Sequence, residues 1–204
     1  MPDSSQSIPR RRFLGGVALT GAVLALPVGV VSAAAVPAVA AGAWDDHWLK
    51  QLKARHRVIF DCQTLSGDLV GYPGRYLDAM LDGYGAKPGD VQIVIGLSGK
   101  AWPAALDDQR WQKYSAAGRF AGNGSRPVDA AAIAAFQKRG ATFLVCDDAL
   151  LQASQDLAAA GGAGEAATIH TDLRAGLLPA IVAVPAMSAA IALAQQHHCA
   201  YIAA

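Results

Sequence analysis

Cysteine is scarce in this chain of 204 residues: there are three, at positions 62, 146 and 199. No Cys-x-x-Cys pair occurs, which removes the zinc-ribbon and thioredoxin-type signatures. His197, His198 and Cys199 are consecutive and point to different faces, so they make no metal-ligand spacing. No metal and no cofactor is expected. Charge is scarce as well. Lys and Arg number 17 against 16 Asp and Glu, a net charge of +1 with His neutral. Without a basic excess there is no electrostatic footprint for nucleic acid. Internal repeats and low-complexity linkers are also missing from the part beyond residue 43.

The first 43 residues differ from the rest. Arg10-Arg11-Arg12-Phe13-Leu14 is followed by no charged residue until Asp45. Two arginines, a spacer and then Phe-Leu form the pattern of a twin-arginine export signal. The runs Ala38-Val39-Ala40 and Ala41-Gly42-Ala43 suit signal peptidase. Residues 1–43 are therefore expected to be a signal peptide and the protein periplasmic, touching the membrane only through that signal. The alternative is an uncleaved anchor, since the uncharged stretch exceeds the ~20 residues of a spanning helix. Pro27, Pro37 and several glycines weaken it as a span. Twin-arginine substrates resemble one another in crossing the membrane already folded. Three cysteines in an oxidising compartment leave at least one without an intramolecular partner.

Residues 44–204 suffice for one domain with its own core. After an amphipathic lead-in over 44–55, His56 to Cys62 is a short apolar run that predicts a first strand. Pro73 suits the first turn of the helix that follows, with Tyr76, Leu77, Met80, Leu81 and Tyr84 on its apolar side. Val91 to Ile95 is the second strand. The Leu97-Ser98-Gly99-Lys100 turn after it lacks the remainder of a phosphate-loop motif. Helices are expected at 102–106, 109–117 and 128–139, with a glycine-rich loop at 118–127. Ala141 to Val145 is the third strand. It runs into Cys146-Asp147-Asp148 and a helix to Ala160, then a helical insertion over 165–175. Leu178 to Val184, a helix from Met187 to Gln196 and a last strand at 200–202 complete the order β-α-β-α-α-β-α-α-β-α-β. Alternating strands and helices predict a single parallel five-stranded sheet, doubly wound with helices on both faces. Continuous apolar strands agree with burial on both sides.

In such a sheet ligands bind beyond the carboxyl ends of the strands. Cys146 ends the third strand beside the free N–H groups of a helix N-terminus, surroundings that favour a thiolate. The competing possibility is a packed cysteine, since the free thiol is among the most buried side chains. Asp147 and Asp148 set negative charge beside the sulfur and oppose the anion. Asp61 and Gln63 after the first strand, and Ser98 and Lys100 after the second, are expected to line the same crevice, with Lys100 available to an anion. His170 on the insertion is expected at the surface, and Cys199 is expected to be structural.

The helix ending at Gly140, the strand Phe143-Leu144-Val145-Cys146, the Leu178-to-Ala186 segment and the closing Ala200-Tyr201-Ile202 together resemble the DsrE/DsrF-like sulfur-relay family. The element Trp111-x-Lys113-Tyr114 is similar to that of twin-arginine-exported members without an assigned function. The resemblance implies a flavodoxin- or Rossmann-like, DsrE-like domain over 44–204, a homo-oligomer, and Cys146 as a thiol that carries a persulfide between donor and acceptor proteins. In the strand order 2-1-3-4-5, strands one and three are neighbours. Cys62 and Cys146 would then be near enough to act as a redox pair. Two alternatives to sulfur carriage follow: a thiol redox protein using Cys62 and Cys146, or a non-catalytic module binding a small anion or a protein. None of the three assigns an enzymatic reaction.

Overall fold

A computed structural model describes residues 44–115, 120, 126–161 and 164–204. The export signal expected over 1–43 lies outside the described residues, as does most of the glycine-rich loop. Among the described residues no helix is long and apolar enough to cross a membrane. The chain is an α/β protein with one five-stranded sheet whose strands all run parallel.

The strands are β1 (His56–Cys62), β2 (Val91–Leu97), β3 (Thr142–Cys146), β4 (Ile181–Val184) and β5 (Ala200–Ala203). The helices are α1 (His47–Lys50), α2 (Asp68–Asp78), α3 (Asp108–Ser115), α4 (Ala130–Lys138), α5 (Asp147–Ala159), α6 (Ala166–Ala175) and α7 (Met187–Gln196). The order across the sheet is β4-β3-β2-β1-β5. This corrects the expected 2-1-3-4-5: β2 lies between β1 and β3, and β1 has β2 and β5 as its neighbours.

Both faces are covered, and period-two alternation divides the core between them. Val58, Phe60, Ile95, Phe143 and Val145 pack with residues of α2, α4, α5 and α6 on one face. Ile59, Val94, Leu144, Cys146 and Val184 pack with α1 and α7 on the other. Ile59, Phe60, Ile95 and Leu144 have no exposed surface. Burial of one such side chain is worth about 1.5–3 kcal/mol, and this explains why uninterrupted apolar runs became the central strands.

Local expectations yield where packing or hydrogen bonding opposes them. Helix α2 begins five residues before Pro73 because Leu69 is drawn into the core, and Pro73 sits buried inside the helix. One wider π turn over Ala79–Gly83 follows. The wider turn shifts the helical phase, so Tyr84 leaves the apolar side and stands 83% exposed. Strand β4 starts at Ile181 rather than Leu178, because the Leu178 N–H donates to Ala105 O and Ala180 takes a positive φ of 60°.

Trp111 and Tyr114 are buried, and the element that holds them is a clasp. Asp172 of α6 accepts hydrogen bonds at Oδ2 from Lys113 Nζ and Tyr114 Oη, each at 2.7 Å, and at Oδ1 from Arg110 Nε at 3.2 Å. Hydrogen bonds from Lys113 and then Tyr114 hold the Asp172 carboxyl below the usual carboxylate range. A carboxyl lowered in the folded state stabilises the fold above its unfolded value, near pH 4, and loses that contribution as pH falls through the folded value. Asp172→Ala is expected to lower unfolding free energy by about 1–2 kcal/mol, allowing for partial solvent screening. Urea denaturation between pH 7 and pH 3 checks this: the variant should lose less stability on acidification than the wild type.

Candidate functional site

The carboxyl ends of the strands bring most of the expected residues together. On the α7 face a crevice of about 480 Å³ is lined by Asp61 and Gln63 after β1, Ser98 after β2, and Cys146 and Asp148 after β3. Helix α7 contributes Ala186, Met187, Ser188 and Ile191, and β5 contributes Tyr201.

Its position follows from the winding. The segments after β1, β2 and β3 pack on one face, whereas α7, after β4, packs on the other. The chain therefore parts between the ends of β3 and β4, where Cys146 pairs with Val184. Such a parting is where open α/β sheets bind ligands. Cys146 is the last residue of β3 and also the N-cap of α5, with its side chain free of any capping bond. It is 7% exposed. The N-terminus of α7 also lacks a side-chain cap.

Asp61 forms the floor. It is 5% exposed, and Ser98 beside it is 8% exposed. Ser98 Oγ donates to Asp61 Oδ1 at 2.8 Å, and Gln63 Nε2 donates to Oδ2 at 2.8 Å. Tyr201 Oη stands 3.5 Å from Oδ2, at the outer limit of a hydrogen bond. Two glycines make the arrangement possible. Gly96, between Asp61 and Leu144 in the sheet, leaves the room that the Met187 thioether occupies, and a Cβ there would collide with the Met187 sulfur. Gly99 has φ +51°, and a Cβ on it would stand 2.9 Å from Gln63 O. That close approach lets the Lys100 N–H donate to Gln63 O at 2.8 Å and fixes the β2 turn against the β1 turn.

Three of the expected residues lie elsewhere. Lys100 opens instead onto a cavity of about 490 Å³ beside Trp102, Phe120 and Asp156, so it brings no cation to the crevice. Asp147 turns toward α6. Its Oδ1 lies 3.1 Å from His170 Nε2 and 3.2 Å from Arg174 Nη1, and Arg174 in turn stacks on Trp44. His170 is thus largely buried rather than a surface residue, because α5 and α6 pack together around this pair. Cys62 faces the opposite side of the sheet. It shares a row with Leu97 and Val145 in the first core cluster, whereas Cys146 belongs to the second. Two strand spacings separate β1 from β3, about 9–10 Å, beyond the ~7 Å limit for a disulfide. The Cys62–Cys146 redox pair is therefore excluded by the strand order. Burial, and then the charge of Asp61, push the Cys62 thiol up to about 12. Burial also raises Cys199, which is packed just before β5.

The residues not anticipated are Tyr201, Met187 and Ser188. Tyr201 is reached only because β5 lies beside β1, a pairing that no local pattern reveals. Among the described residues no group of three or more His, Cys, Asp or Glu could hold a metal ion.

In native protein kept without reductant, alkylation near pH 8 is expected to label Cys146 well before Cys62 and Cys199. Denatured protein should give three free thiols. Mass-spectrometric mapping checks both, and a Cys62–Cys146 disulfide in folded protein would contradict the strand order.

No protein-family model matches the chain, and no curated protein matches its sequence. Among solved structures it is similar to a protein of unknown function, MTH1491, from Methanobacterium thermoautotrophicum, at 14% identity and a TM-score of 0.44, over 73% of this chain and 99% of that one.

Proposed function

We propose that this is an exported DsrE-like protein that carries sulfur as a persulfide on Cys146. The observation that carries the proposal is the position of Cys146 at the parting of β3 and β4, where its side chain lines the crevice. A sulfur carrier needs a thiol that a second sulfur compound can reach, and polar groups around the sulfur that arrives. Ser98, Gln63 and Ser188 supply such groups on the same crevice wall. The transfer is an exchange at sulfur. The Cys146 thiolate attacks the outer sulfur of a donor persulfide, the donor's S–S bond breaks, and the donor leaves as a thiolate while Cys146 keeps the new S–S bond. No oxidant or reductant is consumed.

Under this reading the twin-arginine segment delivers a folded domain to the periplasm, donor and acceptor are other proteins, and the carrier works as a homo-oligomer. The reading takes the parallel sheet with helices on both faces and a cysteine at a strand end as compatible with a DsrE-like domain. Of the two rival readings, the redox pair is lost with the strand order. In the binding-module reading the small-anion half is weakened, because among the described residues the lining contains two carboxylates and no Lys, Arg or His, and the protein-binding half stays open.

Incubation of the purified protein with a persulfide donor, followed by intact-mass spectrometry, tests the proposal. The expected result is the gain of one sulfur atom, removed by thiol reductant and missing in Cys146→Ser. An unmodified wild-type protein whose Cys146 alkylates normally would overturn it.

A further inference from the structure

Asp61 is a carboxylate nineteen-twentieths buried, and among the described residues no Lys, Arg or His pairs with it. Its partners are the neutral donors Ser98, Gln63 and, at longer range, Tyr201. Buried charges are ordinarily paired, because removing a carboxylate from water costs several kcal/mol. Here the unpaired charge lines an open crevice that also contains a cysteine. Asp148, exposed at the rim, adds a second carboxylate on the same crevice, while the neighbouring Asp147 is already held by Arg174 and His170. The opposing positive potential comes from the N-termini of α5 and α7, each worth about half an elementary charge. Among the described residues two carboxylates outweigh them, and the crevice is electronegative.

We propose that this crevice selects sulfur partners whose reactive sulfur lies within a few bonds of a positive charge, an aminothiol or a thiol flanked by Lys or Arg, and rejects anionic sulfur compounds. The inference rests on Cys146 as the reacting thiol and deepens the carrier reading by naming its substrate class. Asp61 supplies the counter-charge at the floor and Asp148 at the rim. A volume of about 480 Å³ accommodates an aminothiol-sized group. Charge of the wrong sign is excluded by repulsion in a partly desolvated site, where it is weakly screened.

Mixed-disulfide formation on Cys146 gives a direct measure. The Cys146 thiolate attacks one sulfur of a symmetric disulfide, the S–S bond breaks, and the other half leaves as a thiolate. The probes are cystamine, dithiodiglycolate and a Lys-Cys-Lys peptide as its symmetric disulfide, with each rate divided by that of the same probe with free cysteine. At low ionic strength the cationic probes are expected to exceed dithiodiglycolate by about tenfold or more, as focused fields do. The preference should shrink at high salt and fall at least threefold in Asp148→Asn, whose exposed position spares the fold. Asp61→Asn should lower it further. A faster reaction with cystamine than with the peptide points to a free aminothiol, and the reverse to a basic loop of a donor protein; either supports the proposal. Equal or faster reaction with dithiodiglycolate overturns it, as does a preference unchanged in both Asn variants, or a folded protein in which no probe reaches Cys146. The carrier reading fails separately: a protein that keeps the cationic preference but gains no sulfur from a persulfide donor retains this inference and loses that one.

Discussion

Parallel strands joined by right-handed crossovers have only one way to change the face on which their helices lie: the chain must reverse its direction across the sheet. From β1 to β4 it steps steadily toward one edge, and α2 to α6 accumulate on one face. The last step returns over the whole width to put β5 beside β1, which forces α7 onto the opposite face. The separation of the segments after β3 and β4 follows from that single reversal. So does the placing of Tyr201 near Asp61: with β5 beside β1, Tyr201 pairs with Ile59, two residues before Asp61, and its hydroxyl stands 3.5 Å from Asp61 Oδ2. The crevice is a consequence of topology, and the sequence around it had only to supply suitable side chains.

Those side chains are held by backbone more than by one another. The Gly99 turn brings the β2 loop onto Gln63 O, and Gln63 then reaches back two residues to Asp61. Met187 fills the space over Gly96 and would otherwise protrude into the crevice. With the floor fixed in this way, the hydroxyl proton of Ser98 is committed to Asp61 and its oxygen lone pairs remain for whatever enters. Sites built on strand ends and tight turns of this kind need little rearrangement to bind.

The strands were legible because burial on both faces leaves uninterrupted apolar runs. β1 begins and ends at the expected residues His56 and Cys62, and helix α7 has its expected bounds. The residues at the carboxyl ends were legible for the same reason, and Asp61, Gln63, Ser98, Cys146 and Asp148 came together as a set. Strand order was not legible. It depends on which edge each crossover takes, and no residue in a connecting helix records that choice. The misplaced partners all trace to it or to tertiary pairing: Cys62 to the interposed β2, Asp147 to the packing of α6, and Lys100 to a turn that faces the other side.

The two consecutive carboxylates after Cys146 illustrate how a helix separates charges that are adjacent in sequence. Successive residues on a helix point about 100° apart. Asp147 therefore meets Arg174 and His170 on α6, while Asp148 remains at the crevice, its N–H donating to Pro185 O across the parting of β3 and β4. One charge is neutralised in the structure and the other is left facing the opening. Had both been paired, Asp61 alone would have offset the α5 and α7 termini, and the thiol would sit in a field close to neutral. With Asp148 free and, among the described residues, no counter-ion on the buried Asp61, the field turns negative. A sulfur compound approaching Cys146 then gains by bringing its own positive charge.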